Sequence, residues 1–173
     1  MISKNERISK NPFFPKVHDL KTFRGSDGKY TYTAEIEKLH KLETLSIDEI
    51  IMIGRNLFTN FDAAFHGDKE KQVWNSHPGK PTGDDHYATD KKEYSSGLHR
   101  IALDTLAKLF DQAIDHASGV ATNINNSNLK QALMLIRKLV KANGDMTSDI
   151  HRGNIMVRRG PFTPQIVITD PVA

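Results

Sequence analysis

The apolar positions change period along the chain, and each change marks an element. Behind Ser46-Ile47-Asp48-Glu49, the residues Ile47, Ile50, Ile51, Ile53, Leu57, Phe58, Phe61 and Phe65 recur broadly at helical spacing. The four-residue box is a helix start: the Ser hydroxyl accepts from an unpaired first-turn N–H, and the Glu reaches back to the Ser main chain. A core-facing helix is predicted over 46–66, stopped at Gly67. A second stripe, Leu98, Ile101, Ala102, Thr105, Leu106, Leu109, Phe110, Ala113 and Ala117, predicts a long helix from about Tyr94 to Ala117. A third, Leu129, Ala132, Leu133, Ile136, Leu139 and Val140, predicts a helix from Ser127 or Asn128 to Lys141, ended by Asn143-Gly144.

The period shortens toward both ends. Gly25-Ser26-Asp27-Gly28 is a turn sequence, and Lys29–Thr33 after it alternates β-formers, so its flanks predict a hairpin. The preceding polar, Pro- and Gly-broken stretch, 1–28, reads as a loosely ordered arm. Residues 34–43 read as a short helix, and 67–92 as an irregular loop punctuated by Pro78-Gly79 and Pro81-Thr82-Gly83. Near the C-terminus, 155–158 and 165–169 read as two strands. Two strands alone are marginal in water, so they must lie against the helices. The expectation is a single α+β domain over 1–173, mainly helical, with a C-terminal antiparallel β-hairpin packed on the helix near 128–141.

Composition narrows the chemistry. The chain of 173 residues has no cysteine, which removes disulfides, thiolate nucleophiles and thiolate-bound zinc. No apolar run reaches the roughly 20 residues of a membrane span, and the N-terminal residues lack the apolar core of a signal peptide, so a cytoplasmic location is expected. The net charge of +3 is mild. Its clearest local surplus is Lys130, Arg137, Lys138, Lys141, Arg152, Arg158 and Arg159: a solvated face, or a patch facing phosphates or an acidic partner. Without aromatic stacking, a zinc motif or a helix-turn-helix pattern, nucleic-acid binding is the weakest reading. His66, His77, Asp84, Asp85 and His86 crowd the 67–92 stretch, but no metal-binding spacing orders them, and turn chemistry explains them as well.

The sharpest chemistry lies in 149–173, DIHRGNIMVRRGPFTPQIVITDPVA. Asp149 and Asn154 stand five apart before one strand, and Asp170 follows the next. Such oxygen donors can hold a hard divalent cation against phosphates and orient a hydroxyl for attack. Plainer readings coexist: an ordinary polar loop, and an Asp-Pro turn that ends a strand.

Asp149-x-His151-x-Gly153-Asn154-Ile155-Met156 resembles the catalytic loop of the protein-kinase-like superfamily, nearest in motif to its aminoglycoside- and choline-kinase branch. Asp170-Pro171 resembles the Asp-Pro form of that superfamily's metal-binding motif. The resemblance covers 129–173 most firmly and implies a kinase-like core segment over 94–173. It implies Asp149 as the catalytic acceptor of the hydroxyl proton, Asn154 and Asp170 as Mg²⁺ ligands that also bind the nucleotide, and Mg²⁺ with ATP as cofactors if the chain is active; His151 reads as a brace for the loop, with a general base as the alternative. The superfamily's nucleotide-binding lysine, paired to a helix glutamate, has its nearest counterpart in Lys29 with Glu49.

This chain departs from the pattern in three places. Thr147 stands where the superfamily carries a His, no nucleotide-covering loop is evident, and only three residues follow Asp170. The resemblance therefore implies a truncated or degenerate member, of a kind encoded by phages or mobile elements and working in the host cytoplasm. The expected function is binding, and inhibition, of a protein partner. The alternatives are a minimal Mg²⁺- and ATP-dependent phosphotransferase acting on a hydroxyl, and a nucleic-acid-binding protein.

Overall fold

The computed structural model describes residues 10–75, 91–115, 119–144 and 147–172. Among them are four α-helices, a two-stranded and a three-stranded antiparallel sheet, and a short two-stranded ribbon, an α+β arrangement. Strands β1 (Val17–Arg24) and β2 (Tyr30–Ile36) form the first sheet. Strand β3 (His40–Lys41) leads into a 3-10 turn, Leu42–Thr44. Helices α1 (Ile47–Leu57), α2 (Phe61–Asn75) and α3 (Lys91–Gln112) follow. The ribbon β4 (Ile114–Asp115) and β5 (Gly119–Val120) leads to α4 (Ser127–Ala142), and β6 (Ile155–Arg158) with β7 (Gln165–Ile168) closes the chain.

The Ser46 capping box forms: Glu49 N–H donates to Ser46 Oγ at 3.2 Å, and Ser46 N–H to Glu49 Oε2 at 2.7 Å. The helix it starts is shorter than predicted. Phe58 turns extended and bridges Ile124, Thr59 N–H donates to Asn123 O at 2.9 Å, and Asn125 N–H to Leu57 O at 2.9 Å. These cross-links replace one helical turn and split the predicted helix into α1 and α2. Gly67 does not stop α2, because the next residue docks it: Asp68 accepts from Thr105 Oγ1 at 3.0 Å and Lys108 Nζ at 3.1 Å, both on α3. Helix α3 ends at Gln112 rather than Ala117, since Ile114 and Asp115 pair with Val120 and Gly119. Asn126 caps α4 through its side-chain oxygen, at 3.0 Å from the N–H groups of Asn128 and Leu129.

The C-terminal strands pair as predicted, Ile155 with Ile168 through Arg158 with Gln165. Strand β3 joins them, pairing His40 and Lys41 with Val157 and Met156. The helix expected over 34–43 is not formed: 34–36 complete β2, and 40–41 become β3. Ile155, Val157, Ile166 and Ile168 enter the same buried cluster as Ile50, Phe61, Leu106, Leu133 and Ile136. No helix among the described residues is long and apolar enough to cross a membrane.

Residues 10–28 also differ from a loose arm. Phe13 is buried, and its carbonyl accepts from Ile168 N–H at 2.8 Å, extending the β7 edge. Arg158 fastens both roots of the β1–β2 hairpin. Its guanidinium donates to Pro12 O at 2.9 Å, to Phe14 O at 3.1 Å, and to both carboxylate oxygens of Glu37. That partly buried fork holds the Glu37 carboxyl below its ordinary range, mainly through the Arg158 hydrogen bond, against the opposing effect of burial. A depressed carboxyl contributes stability above its unfolded value and loses it as pH falls through the folded one. Glu37→Gln should therefore cost about 1.5–3 kcal/mol in urea unfolding at neutral pH. The gap to the parent should narrow at acid pH, where the parent's own Glu37 protonates.

Candidate functional site

Two main-chain links bring the three predicted site residues together. Asp149 N–H donates to Pro171 O at 2.9 Å, beside an antiparallel bridge between Ser148 and Val172. Asn154 O accepts from Thr169 N–H at 2.9 Å and from its hydroxyl at 3.2 Å. Asp170 lies between these two anchored residues, so its backbone is fixed against the loop that carries Asp149 and Asn154. Ile150, buried, pins the middle of that loop to the core.

Side chains complete the corner. Asn154 Nδ2 donates to Asp149 O at 2.8 Å and to Asp149 Oδ2 at 3.1 Å. This leaves Asn154 Oδ1 as that side chain's free acceptor and holds the Asp149 carboxylate toward the loop. His151 Nδ1 accepts from Gly153 N–H at 2.9 Å, which places the ring proton on Nε2, 3.7 Å from Asp149 Oδ2. A Cβ at Gly153 would lie 2.7 Å from His151 Cε1, so a side chain there would displace the imidazole. His151 thus braces the loop as expected from sequence.

Arg152 does not stand free for a phosphate. Its Nε reaches Glu43 at 2.9 Å and its NH1 reaches Asp104 at 3.2 Å, tying the loop to the 3-10 turn and to α3. Arg158 and Arg159 are likewise engaged, Arg159 with Glu49 at 2.7 Å. Three cations of the expected basic surplus therefore bind carboxylates; Lys130, Lys138 and Lys141 remain on the exposed side of α4.

Beside Asp149 opens a depression of about 300 Å³, walled by Ala107, Lys108 and Asp111 of α3 and by 148–152 of the loop. Asp149 faces it, while Asn154 and Asp170 are not among its lining residues. Asp149 thus borders the depression on one side and accepts from the Asn154 side chain on the other.

Lys29 is not brought to this corner. It sits at the β1–β2 turn, its side chain 86% exposed and its Nζ 4.0 Å from Asp27. Glu49 is occupied by Arg159 and by Ser46 N–H, and its carboxyl is lowered, first by that backbone hydrogen bond. The Lys29–Glu49 pair is therefore not formed. Of the candidate His and Asp cluster, His66 is exposed on α2, and His77, Asp84, Asp85 and His86 lie outside the described residues. No group of three or more His, Asp or Glu side chains is placed to hold a metal among the described residues.

The residues whose main chains meet at the corner, Asp149, Asn154 and Asp170, carry only oxygen donors that could reach a cation: two carboxylates and an amide oxygen. That set fits Mg²⁺, which is bound through one or two carboxylates with water and phosphate oxygens filling the remaining positions. The linking roles of Thr169, Pro171, Glu43 and Asp104 escaped the sequence reading because they act through tertiary contact. No protein-family model, curated protein or solved structure matches the chain.

Proposed function

We propose that the chain is a kinase-like protein whose Asp149–Asn154–Asp170 corner binds the phosphates of a Mg²⁺–nucleotide and directs a hydroxyl at the terminal phosphorus. One observation carries this reading: Asp149 N–H on Pro171 O and Thr169 N–H on Asn154 O hold Asp170 beside the Asp149 loop. Residues with oxygen donors, distant in sequence, are thereby fixed at one place.

Each residue has a distinct task. Asp170 and Asn154 Oδ1 would hold the metal, which would supply positive charge against the phosphates. Asp149, fixed by the Asn154 amide, accepts the proton of an acceptor hydroxyl lying in the adjoining depression. The hydroxyl oxygen bonds to the terminal phosphorus as the bond from that phosphorus to the bridging oxygen breaks. The nucleoside diphosphate leaves with the bond's electron pair.

A second reading rests on Lys29. With that lysine remote and Glu49 paired to Arg159, no lysine–glutamate nucleotide clamp is present among the described residues. On this reading the protein keeps the corner but acts by binding and inhibiting a protein partner.

Calorimetric titration with ATP, with and without Mg²⁺, tests the site. Binding should require Mg²⁺ and weaken at least about 10-fold in Asp170→Asn, which deletes a charged ligand. Binding that ignores both Mg²⁺ and the substitution would remove the corner from nucleotide recognition.

A further inference from the structure

We propose that the β1–β2 hairpin is a self-association edge, joining two copies of the chain through antiparallel pairing of β2 with β2. The inference is independent of the kinase-like reading.

Every residue of both strands is exposed. The register shift between Val17 and Asp19 keeps Val17, Leu20, Tyr30, Tyr32, Ala34 and Ile36 on one face, with Thr22 and with Arg24 lying over the Tyr30 ring, and Asp19, Lys21, Thr31, Thr33 and Glu35 on the other, with Phe23 its one large apolar side chain. The ribbon is therefore amphipathic with its apolar face uncovered among the described residues. A two-stranded ribbon is marginal in water, whereas additional strands stabilise it.

The two edges differ. The β1 edge carries a bulge, Asp19 and Lys21, which are devices that discourage strand addition. The β2 edge, YTYTAEI, has no proline, no bulge and one charge, Glu35. Its main chain is also available. Gly25 N–H donates to Lys29 O at 2.7 Å, which sets the ladder alternation. The N–H and C=O groups of Thr31, Thr33 and Glu35 then face β1, and those of Tyr30, Tyr32, Ala34 and Ile36 face outward.

A second β2 running antiparallel about Thr33 brings outward groups together throughout. Tyr30 meets Ile36 of the other copy, Tyr32 meets Ala34, Thr31 meets Glu35, and Thr33 meets itself. Tyr32 faces the small Ala34, Tyr30 lies beside the apolar Ile36, and no like charges are opposed. The resulting four-stranded sheet has only β1 edges outside, so association closes at a dimer. The charge pattern of β2 thus fits a second copy of itself.

Sedimentation velocity at loads from about 1 to 200 μM should show the mass rising from 19.5 kDa toward twice that value by mass action. Thr33→Lys and Thr33→Glu should each weaken association at least about 10-fold by opposing like charges at the two-fold axis, and an equimolar mixture should restore it. Lys21 already faces Thr33 within each hairpin, so Thr33→Lys is the more disruptive of the pair. Restoration by mixing excludes simple misfolding of either variant. Thr33→Cys adds a register test: the chain has no other cysteine, and a non-hydrogen-bonded pair on the axis lies about 4.5 Å apart between Cα atoms, within disulfide reach. Mild oxidation should give a covalent dimer. A parent chain that stays monomeric at every load overturns the proposal, even if the edge accepts a strand from another protein. So does a dimer that ignores both charge variants, or assembly that continues beyond two copies.

Discussion

Gly54→Ala should destabilise the fold measurably, although alanine is the better helix former. Gly54 is buried on α1, where Phe61 of α2 lies over it. A Cβ built at this position would fall 2.3 Å from Phe61 Cδ2 and Cε2, far inside van der Waals contact. Phe61 is fully buried and stacks with Phe65, ring centroids 6.0 Å apart, so the ring has no open side to swing toward. Forced overpacking costs about 1–3 kcal/mol, which outweighs the roughly 1 kcal/mol that alanine returns in helix propensity. Phe61→Ala should cost more, about 3–5 kcal/mol, through lost burial and the cavity left behind. The two changes should not add. With the ring gone, a methyl group at 54 fills part of the space it vacated, so the double variant should be more stable than Phe61→Ala alone. Urea unfolding of the four proteins measures this coupling. Simple additivity would mean that the approach of α1 to α2 at Gly54 is looser than described.

The elements legible from the chain were those whose own residues supply the reason for them. The stripe of α4 and the Ser46 box of α1 are local patterns, and both formed. Errors arose where a distant residue decided the outcome. Gly67 looked like a stop, but Asp68 finds Thr105 and Lys108 on α3, and that docking carries the helix onward. Strand β3 is two residues long and exists only because β6 offers an edge, so no periodicity announces it. Residues 10–16 looked unstructured because their partners, Arg158, Asn128 and Ile168, lie more than a hundred residues away.

The site divides in the same way. Asp149, Asn154 and Asp170 stood out as a set by residue type and order alone. Their convergence was not readable, since it depends on Pro171 O and Thr169 N–H crossing back to the loop. The arginines show the reverse error. Arg152, Arg158 and Arg159 were counted as a cationic surplus, yet each is spent on a carboxylate from an earlier segment: Glu43 and Asp104, Glu37, and Glu49 respectively. These pairs join the C-terminal strands and loop to the 37–49 segment and α3. The guanidinium charge of these three residues is consequently structural, so on the proposed reading a metal would have to neutralise the phosphates.

Asp149→Asn should separate a transferase from a binding protein more sharply than any other single change. The substitution is nearly isosteric, and an Asn side-chain oxygen can still accept the Asn154 Nδ2 bond now made to Asp149 Oδ2. The second bond, from Asn154 to the residue 149 carbonyl, is untouched, as is the link from its N–H to Pro171 O. The fold and Mg²⁺-dependent nucleotide binding should therefore be largely preserved. What disappears is a carboxylate able to take a proton beside the depression. Loss of a positioned general base lowers rates by about 10²–10⁴-fold. If the corner transfers phosphate, single-turnover transfer or hydrolysis should fall by that factor while the ATP titration barely moves. The partner-binding reading forecasts no transfer by the parent chain and a partner affinity that ignores the substitution. A parent protein that transfers phosphate equally well with Asn at 149 would leave Asp149 as a loop residue and send the search for the base elsewhere. Asp111, the other carboxylate lining the depression, is the first alternative to substitute.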